Sequence, residues 1–78
     1  MKLTWTEVGQ QYSRVNTATG DRGTYRIALD MPADRWALAL DNRRLMENIY
    51  DLREAKRFAQ EYDNAGSFAS ALPSLLLG

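Results

Sequence analysis

A chain of 78 residues with ten basic groups, ten acidic groups, no cysteine and no histidine is one small domain without the charge excess that draws a protein to nucleic acid or an anionic surface. Disulfides and thiolate zinc sites are excluded, and the commonest general base and transition-metal ligand is missing. A domain of this size buries only about 60–65% of its unfolded surface, so tight packing or a partner subunit has to supply its stability.

In chain order, "LTWTEV" (3–8) alternates Leu3 and Trp5 with Thr4 and Thr6, and "QYSRVNT" (11–17) is rich in aromatic and β-branched residues. Both read as strands, with Gly9 between them as a bend. "TGDRG" (19–23) is a turn in which two glycines bracket Asp21 and Arg22. "TYRIALD" (24–30) then places Tyr25, Ile27 and Leu29 on one face and Thr24, Arg26, Ala28 and Asp30 on the other. Pro32 in "MPAD" stops that strand. "RWALALD" (35–41) repeats the alternation with Trp36, Leu38 and Leu40 on the apolar face. Asp41 and Asn42 suit a two-residue hairpin turn, because both tolerate left-handed backbone. That turn predicts Leu40 opposite Arg43, Leu38 opposite Leu45 and Trp36 opposite Glu47, with Ile49 closing the same face.

Asp51 opens a helix predicted over 52–63, with "DLRE" in the form of a capping box. Leu52, Ala55, Phe58, Ala59 and Tyr62 recur at helical spacing, and Arg53, Lys56, Arg57, Gln60, Glu61 and Asp63 fill the solvated side. Arg57 and Glu61 are spaced for a surface ion pair. Asn64 and Gly66 end the helix. The expected fold is α+β: an antiparallel meander of three to five strands with one C-terminal helix packed on one face, spanning residues 1–66. Residues 67–78 form an apolar tail. Trp5, Leu29, Leu40 and Leu45 join the inward-facing residues in the expected core.

Catalysis finds little support. Without histidine or cysteine, a serine or threonine nucleophile needs a lysine or carboxylate beside it. The two lysines, Lys2 and Lys56, stand at no spacing that suggests it. Asp30, Asp34 and Asp41 sit at strand ends, where carboxylates ordinarily form solvated turns. "TGDRG" lacks the lysine and following helix of a phosphate loop. No enzyme, no cofactor and no metal are expected.

Binding is better supported. Arg26, Arg35 and Arg44 are predicted on the open sheet face, with Ala28, Ala37, Ala39 and Met46 as a flat, weakly apolar patch between them. Small residues let a partner approach closely, and Arg and Met are enriched at interfaces. The expected partner is another protein, a second copy of the chain, or both. The alternative is nucleic acid tracked by the three arginines, although Tyr25 and Trp36, the rings that would stack bases, point to the opposite face. The tail offers Phe68, Leu72, Leu75, Leu76 and Leu77 as a second contact candidate. It is far shorter than the roughly 20 residues that span a bilayer, and no secretory signal pattern opens the chain. Three fates are open to it: docking on its own domain as a turn of helix up to Pro73, packing on a second copy, or serving as a free peptide. A cytoplasmic location is expected.

Trp5, Tyr12, "YRIALD", the tryptophan of "RWALALD", "DNRR" and "LREAKRFAQ" stand in one ordered series. The series resembles short proteins of actinobacteria and their phages, in which a tryptophan-containing meander precedes a helix of the L-x-E-A-K type. Asn42 stands where that pattern has a turn glycine, and the leucine-rich tail lies outside it. The resemblance covers about residues 5–63. It implies a small accessory protein of the kind phages encode, acting on a host protein or on itself, and it assigns no functional residue. The order of strands and helix is also similar to single-strand-binding coactivators, PUR repeats and integrase arm-binding domains. That likeness is one of fold, which does not fix function.

Overall fold

The computed structural model describes residues 2–9, 14–30 and 34–68. Five strands, β1 (Thr6–Val8), β2 (Val15–Gly20), β3 (Gly23–Asp30), β4 (Arg35–Leu40) and β5 (Arg43–Ile49), precede one helix, α1 (Leu52–Ala65). They form one antiparallel sheet in sequence order, β1-β2-β3-β4-β5, with α1 packed across one face. This is the expected α+β meander. None of the described helical residues makes a helix long and apolar enough to cross a membrane.

The sheet follows the period-2 pattern where that pattern is strongest. Tyr25, Ile27, Trp36 and Leu38 face inward and are buried, and Ala55, Phe58 and Ala59 of α1 close over them. The two helix alanines leave no side chain to hold the helix off the sheet. Between β4 and β5, Asp41 and Asn42 take φ of 49° and 69°, the left-handed pair that a tight hairpin requires.

The first two strands differ from expectation. Only Thr6–Val8 pairs as β1, against Thr17, Asn16 and Val15 of β2. Leu3 and Trp5 precede the strand and run beside the helix. The Leu3 amide donates to Gln60 Oε1 at 2.8 Å, and the Lys56 ammonium stands 6.0 Å from the Trp5 ring. β2 continues to Gly20, so the turn before β3 shortens to Asp21 and Arg22. Residues 10–13, the start of the predicted second strand, lie outside the described residues.

The β4–β5 register also differs. Leu40 pairs with Arg43 as expected, but Leu38 pairs with Met46 and Trp36 with Ile49, across two irregularities. Each inserts one extra residue into β5. Asn48, at φ 60°, supplies the left-handed backbone at the second. One insertion reverses the side-chain parity and the second restores it. Met46 lies between them, so it packs against the core rather than on the open face where the simple alternation put it.

At the helix start, Asp51 accepts from the Arg53 amide at 3.0 Å, and Glu54 pairs with Arg57 at 3.3 Å. The N-cap is present, but the hydrogen bond goes to the second helical residue rather than the third, and Arg57 pairs with Glu54 rather than Glu61. Replacing Asp51 by Ala is expected to cost about 1 kcal/mol, read as a lower urea midpoint at an unchanged slope. Gly66 ends the helix at φ 72°, its amide donating to the Tyr62 carbonyl. Phe68 then folds back on α1, its ring 5.0 Å from Tyr62 and 6.2 Å from Phe58. The first apolar residue of the tail therefore docks on its own domain. Leu72, Leu75, Leu76 and Leu77 lie outside the described residues.

Candidate functional site

The open sheet face is ordered in rows that cross the strands. Val8 pairs with Val15, Val15 with Ala28 and Ala28 with Ala37. Directly opposed residues share a face, so these four make one apolar row across β1 to β4, about 14 Å long at ordinary strand spacing. Val8 keeps 51% of its surface exposed, and Val15, Ala28 and Ala37 are half-buried. A second row runs Thr6, Thr17, Arg26, Ala39 and Arg44. On the other side of the apolar row, Asp30 pairs with Arg35 in register. The apolar row is thus a floor between two charged rims.

At the β4–β5 end the floor deepens into a concavity of about 210 Å³, whose lining includes Ala28, Ala37, Asp30, Arg35, Arg44, Glu47 and Asn48. Its charges are mixed. Arg44 pairs with Glu47 at 2.8 Å, both side chains being more than half exposed, so the pair contributes little to stability. The Arg35 guanidinium lies 4.0 Å from the centre of the Tyr50 ring. Tyr50 is 74% exposed and was not singled out from the sequence, because it follows Ile49 where the strand pattern ends. Among the described residues, neither the Arg26 guanidinium nor the Asp30 carboxylate has a side-chain partner.

Of the predicted interface residues, the pairing places Arg26, Ala28, Arg35, Ala37, Ala39 and Arg44 together on the open face. Met46 is the exception, and Val8, Val15 and Tyr50 are the additions. Val15 lies in the second strand read from the sequence, but the row it joins becomes visible only once β1 pairs with β2.

A second polar cluster lies at the opposite end of α1. Asp63, on the side of the helix expected to be solvated, is 4% exposed. Its carboxylate accepts from the Asp21 amide at 3.2 Å, the Arg22 amide at 3.0 Å and the Tyr25 hydroxyl at 3.0 Å. Burial alone would raise its pKa, but the hydrogen bonds from the Arg22 and Asp21 amides and from Tyr25 outweigh that and hold it below the ordinary value of 3.8. Burial and the same contact push the Tyr25 hydroxyl upward, so it stays protonated and donating. Gly20 makes the approach possible: a Cβ there would stand 2.5 Å from Asp63 Oδ1. Arg22 adds a hydrogen bond from Nε to the Tyr62 carbonyl at 2.8 Å. The cluster ties the β2–β3 turn to the end of the helix, and both carboxylate oxygens of Asp63 accept hydrogen bonds within the chain. One buried polar atom stands apart from both clusters. Asn16, on the inward face of β2, has no hydrogen-bond partner for its Nδ2 among the described residues.

No group of three or more metal-ligating side chains gathers among the described residues. Comparison of the chain with protein-family models, curated proteins and solved structures finds no match.

Proposed function

We propose that the chain is a small non-enzymatic accessory module that binds protein through the open face of its sheet. The observation that carries this reading is the apolar row of Val8, Val15, Ala28 and Ala37 between the rims of Arg26 with Arg44 and Asp30 with Arg35. A floor of small and β-branched side chains admits close approach, and a rim of both charge signs gives register and specificity more than affinity. The cysteine-free sequence suits a reducing compartment such as the cytoplasm.

Affinity capture with the intact chain and with Ala28→Arg tests this. The substitution puts a long charged side chain in the middle of the floor while leaving the core untouched. Proteins retained by the intact chain and lost with Ala28→Arg are the expected result, with both forms equally folded by circular dichroism. An identical set retained by both contradicts the reading.

A second reading, nucleic-acid binding, rests on the exposed Tyr50 ring beside Arg35, with Arg44 and Arg26 on the same face. It is the weaker one. Arg35 already covers a face of that ring, Arg44 is paired with Glu47, and Asp30 adds a negative charge. It predicts oligonucleotide binding at low salt that weakens steeply as salt rises. No anisotropy change of a labelled oligonucleotide at low salt excludes it.

A further inference from the structure

Arg26, Ala28 and Asp30 follow one another along the open face of β3, and their spacing carries a symmetry. The guanidinium and the carboxylate stand on either side of Ala28, four residues apart. At strand rise their Cα atoms are about 13 Å apart, too far to pair with each other. Both residues are exposed, and neither side chain has a partner among the described residues.

Consider a two-fold axis lying in the plane above the sheet and running across the strands over Ala28 and Ala37. Rotation about it sets β3 of one copy over β3 of the other, running in the opposite direction. Arg26 of each copy then faces Asp30 of the other, so two ion pairs form at once. The apolar row of Val8, Val15, Ala28 and Ala37 lies over itself. Arg35 of one copy meets the small Ala39 of the other, since both lie two residues from Ala37. Symmetric dimers are built from such self-complementary patches. Sheets that pack face to face sit about 10 Å apart with strands nearly aligned, a gap that Arg and Asp side chains can bridge.

Resting on the protein-binding reading, we infer that the occupant of the open face is a second copy of this chain, in a two-fold dimer held by reciprocal Arg26–Asp30 pairs across the apolar row. The patch measures about 19 Å across five strands and about 20 Å along them. That is about 400 Å² per copy, below the area of stable specific interfaces, so the dimer is weak, concentration-dependent and exchanges rapidly.

Sedimentation of the full chain from micromolar to millimolar concentration tests this with a charge swap. The wild type is expected to shift from monomer toward dimer as concentration rises, less so at high salt. Arg26→Asp alone and Asp30→Arg alone each juxtapose like charges twice and should weaken the dimer by at least about tenfold. Mixing the two variants should restore association, because the two acidic positions of one face the two basic positions of the other. The double variant Arg26→Asp/Asp30→Arg should dimerise like the wild type. Circular dichroism verifies that all variants are folded.

A wild type that is monomeric to millimolar concentration overturns the inference. So does a dimer that survives both single substitutions, or a mixture that fails to recover. If the wild type is monomeric but a captured protein is still lost with Ala28→Arg, self-pairing alone falls and the protein-binding reading stands.

Discussion

Replacing Leu38 by Ala is expected to lower stability by about 3 kcal/mol, because removing a fully enclosed leucine costs both its transfer energy and the cavity it leaves. Leu38 has no exposed surface. It sits in the central part of the sheet, paired with Ile27 on one side and Met46 on the other. Ala55 and Ala59 are equally buried in the helix that closes the core. Backbone so constrained cannot collapse into the void. For a domain of this length the loss corresponds to a fall in Tm of about 12–24 °C. Leu40, two residues along the same face, is only partly buried, so Leu40→Ala should cost about half as much. Equal losses at the two positions, measured by thermal melting, would contradict the described core.

The second large effect is expected at Asp63. Asp63→Ala removes the acceptor of two backbone amides and of the Tyr25 hydroxyl. Tyr25 is fully buried, so its hydroxyl is left without water or a partner. Stranded buried donors cost about 1–3 kcal/mol each, and the two amides are only part-buried, so a total of about 3 kcal/mol is expected. Tyr25→Phe loses only one of the three bonds and should cost about 1 kcal/mol.

The same carboxylate sets the response to acid. Its pKa is lower in the folded chain than the ordinary 3.8. Its stabilisation is therefore fully present above that value and is lost as pH falls through 3.8 toward the folded value. Urea midpoints should be flat near neutral pH and drop below about pH 4. Asp63→Asn, which cannot ionise, should start less stable and show a shallower acid limb. An unchanged acid limb in Asp63→Asn would place the pH dependence elsewhere.

The contrast between these two sites shows what the sequence could disclose. Leu38 was legible because its environment follows from alternation along one strand and helical spacing along one segment, both local periodicities. Asp63 was not, because its partners lie 38 to 42 residues away. Without the closure of α1 over the β2–β3 turn, a carboxylate near a helix end reads as solvated. The two glycines of "TGDRG" were legible as a turn, but Gly20 is required by the approach of Asp63 rather than by the turn itself.

The open face was partly legible for the same physical reason. Strands β3 and β4 have clean alternation, and their outward residues Arg26, Ala28, Arg35, Ala37 and Ala39 fall where that alternation puts them. β5 does not. Two one-residue insertions shift the register by two residues at Ile49, so both ends of the strand keep the expected facing while Met46 between them is reversed. A period-2 pattern has no means of showing a pair of compensating shifts. The one local hint was Asn48, a residue type that accepts the left-handed backbone of a bulge.

The surface assignment is tested most directly by methyl spectra of the alanine-labelled chain, recorded as its own concentration, or that of a captured partner, is raised. Ala28, Ala37 and Ala39 lie on the open face, whereas Ala55 and Ala59 are sealed on the sheet-facing side of the helix. The account predicts progressive shifts at Ala28, Ala37 and Ala39 with Ala55 and Ala59 unmoved. Shifts confined to the helix alanines, or no shift at any alanine while association proceeds, would contradict it.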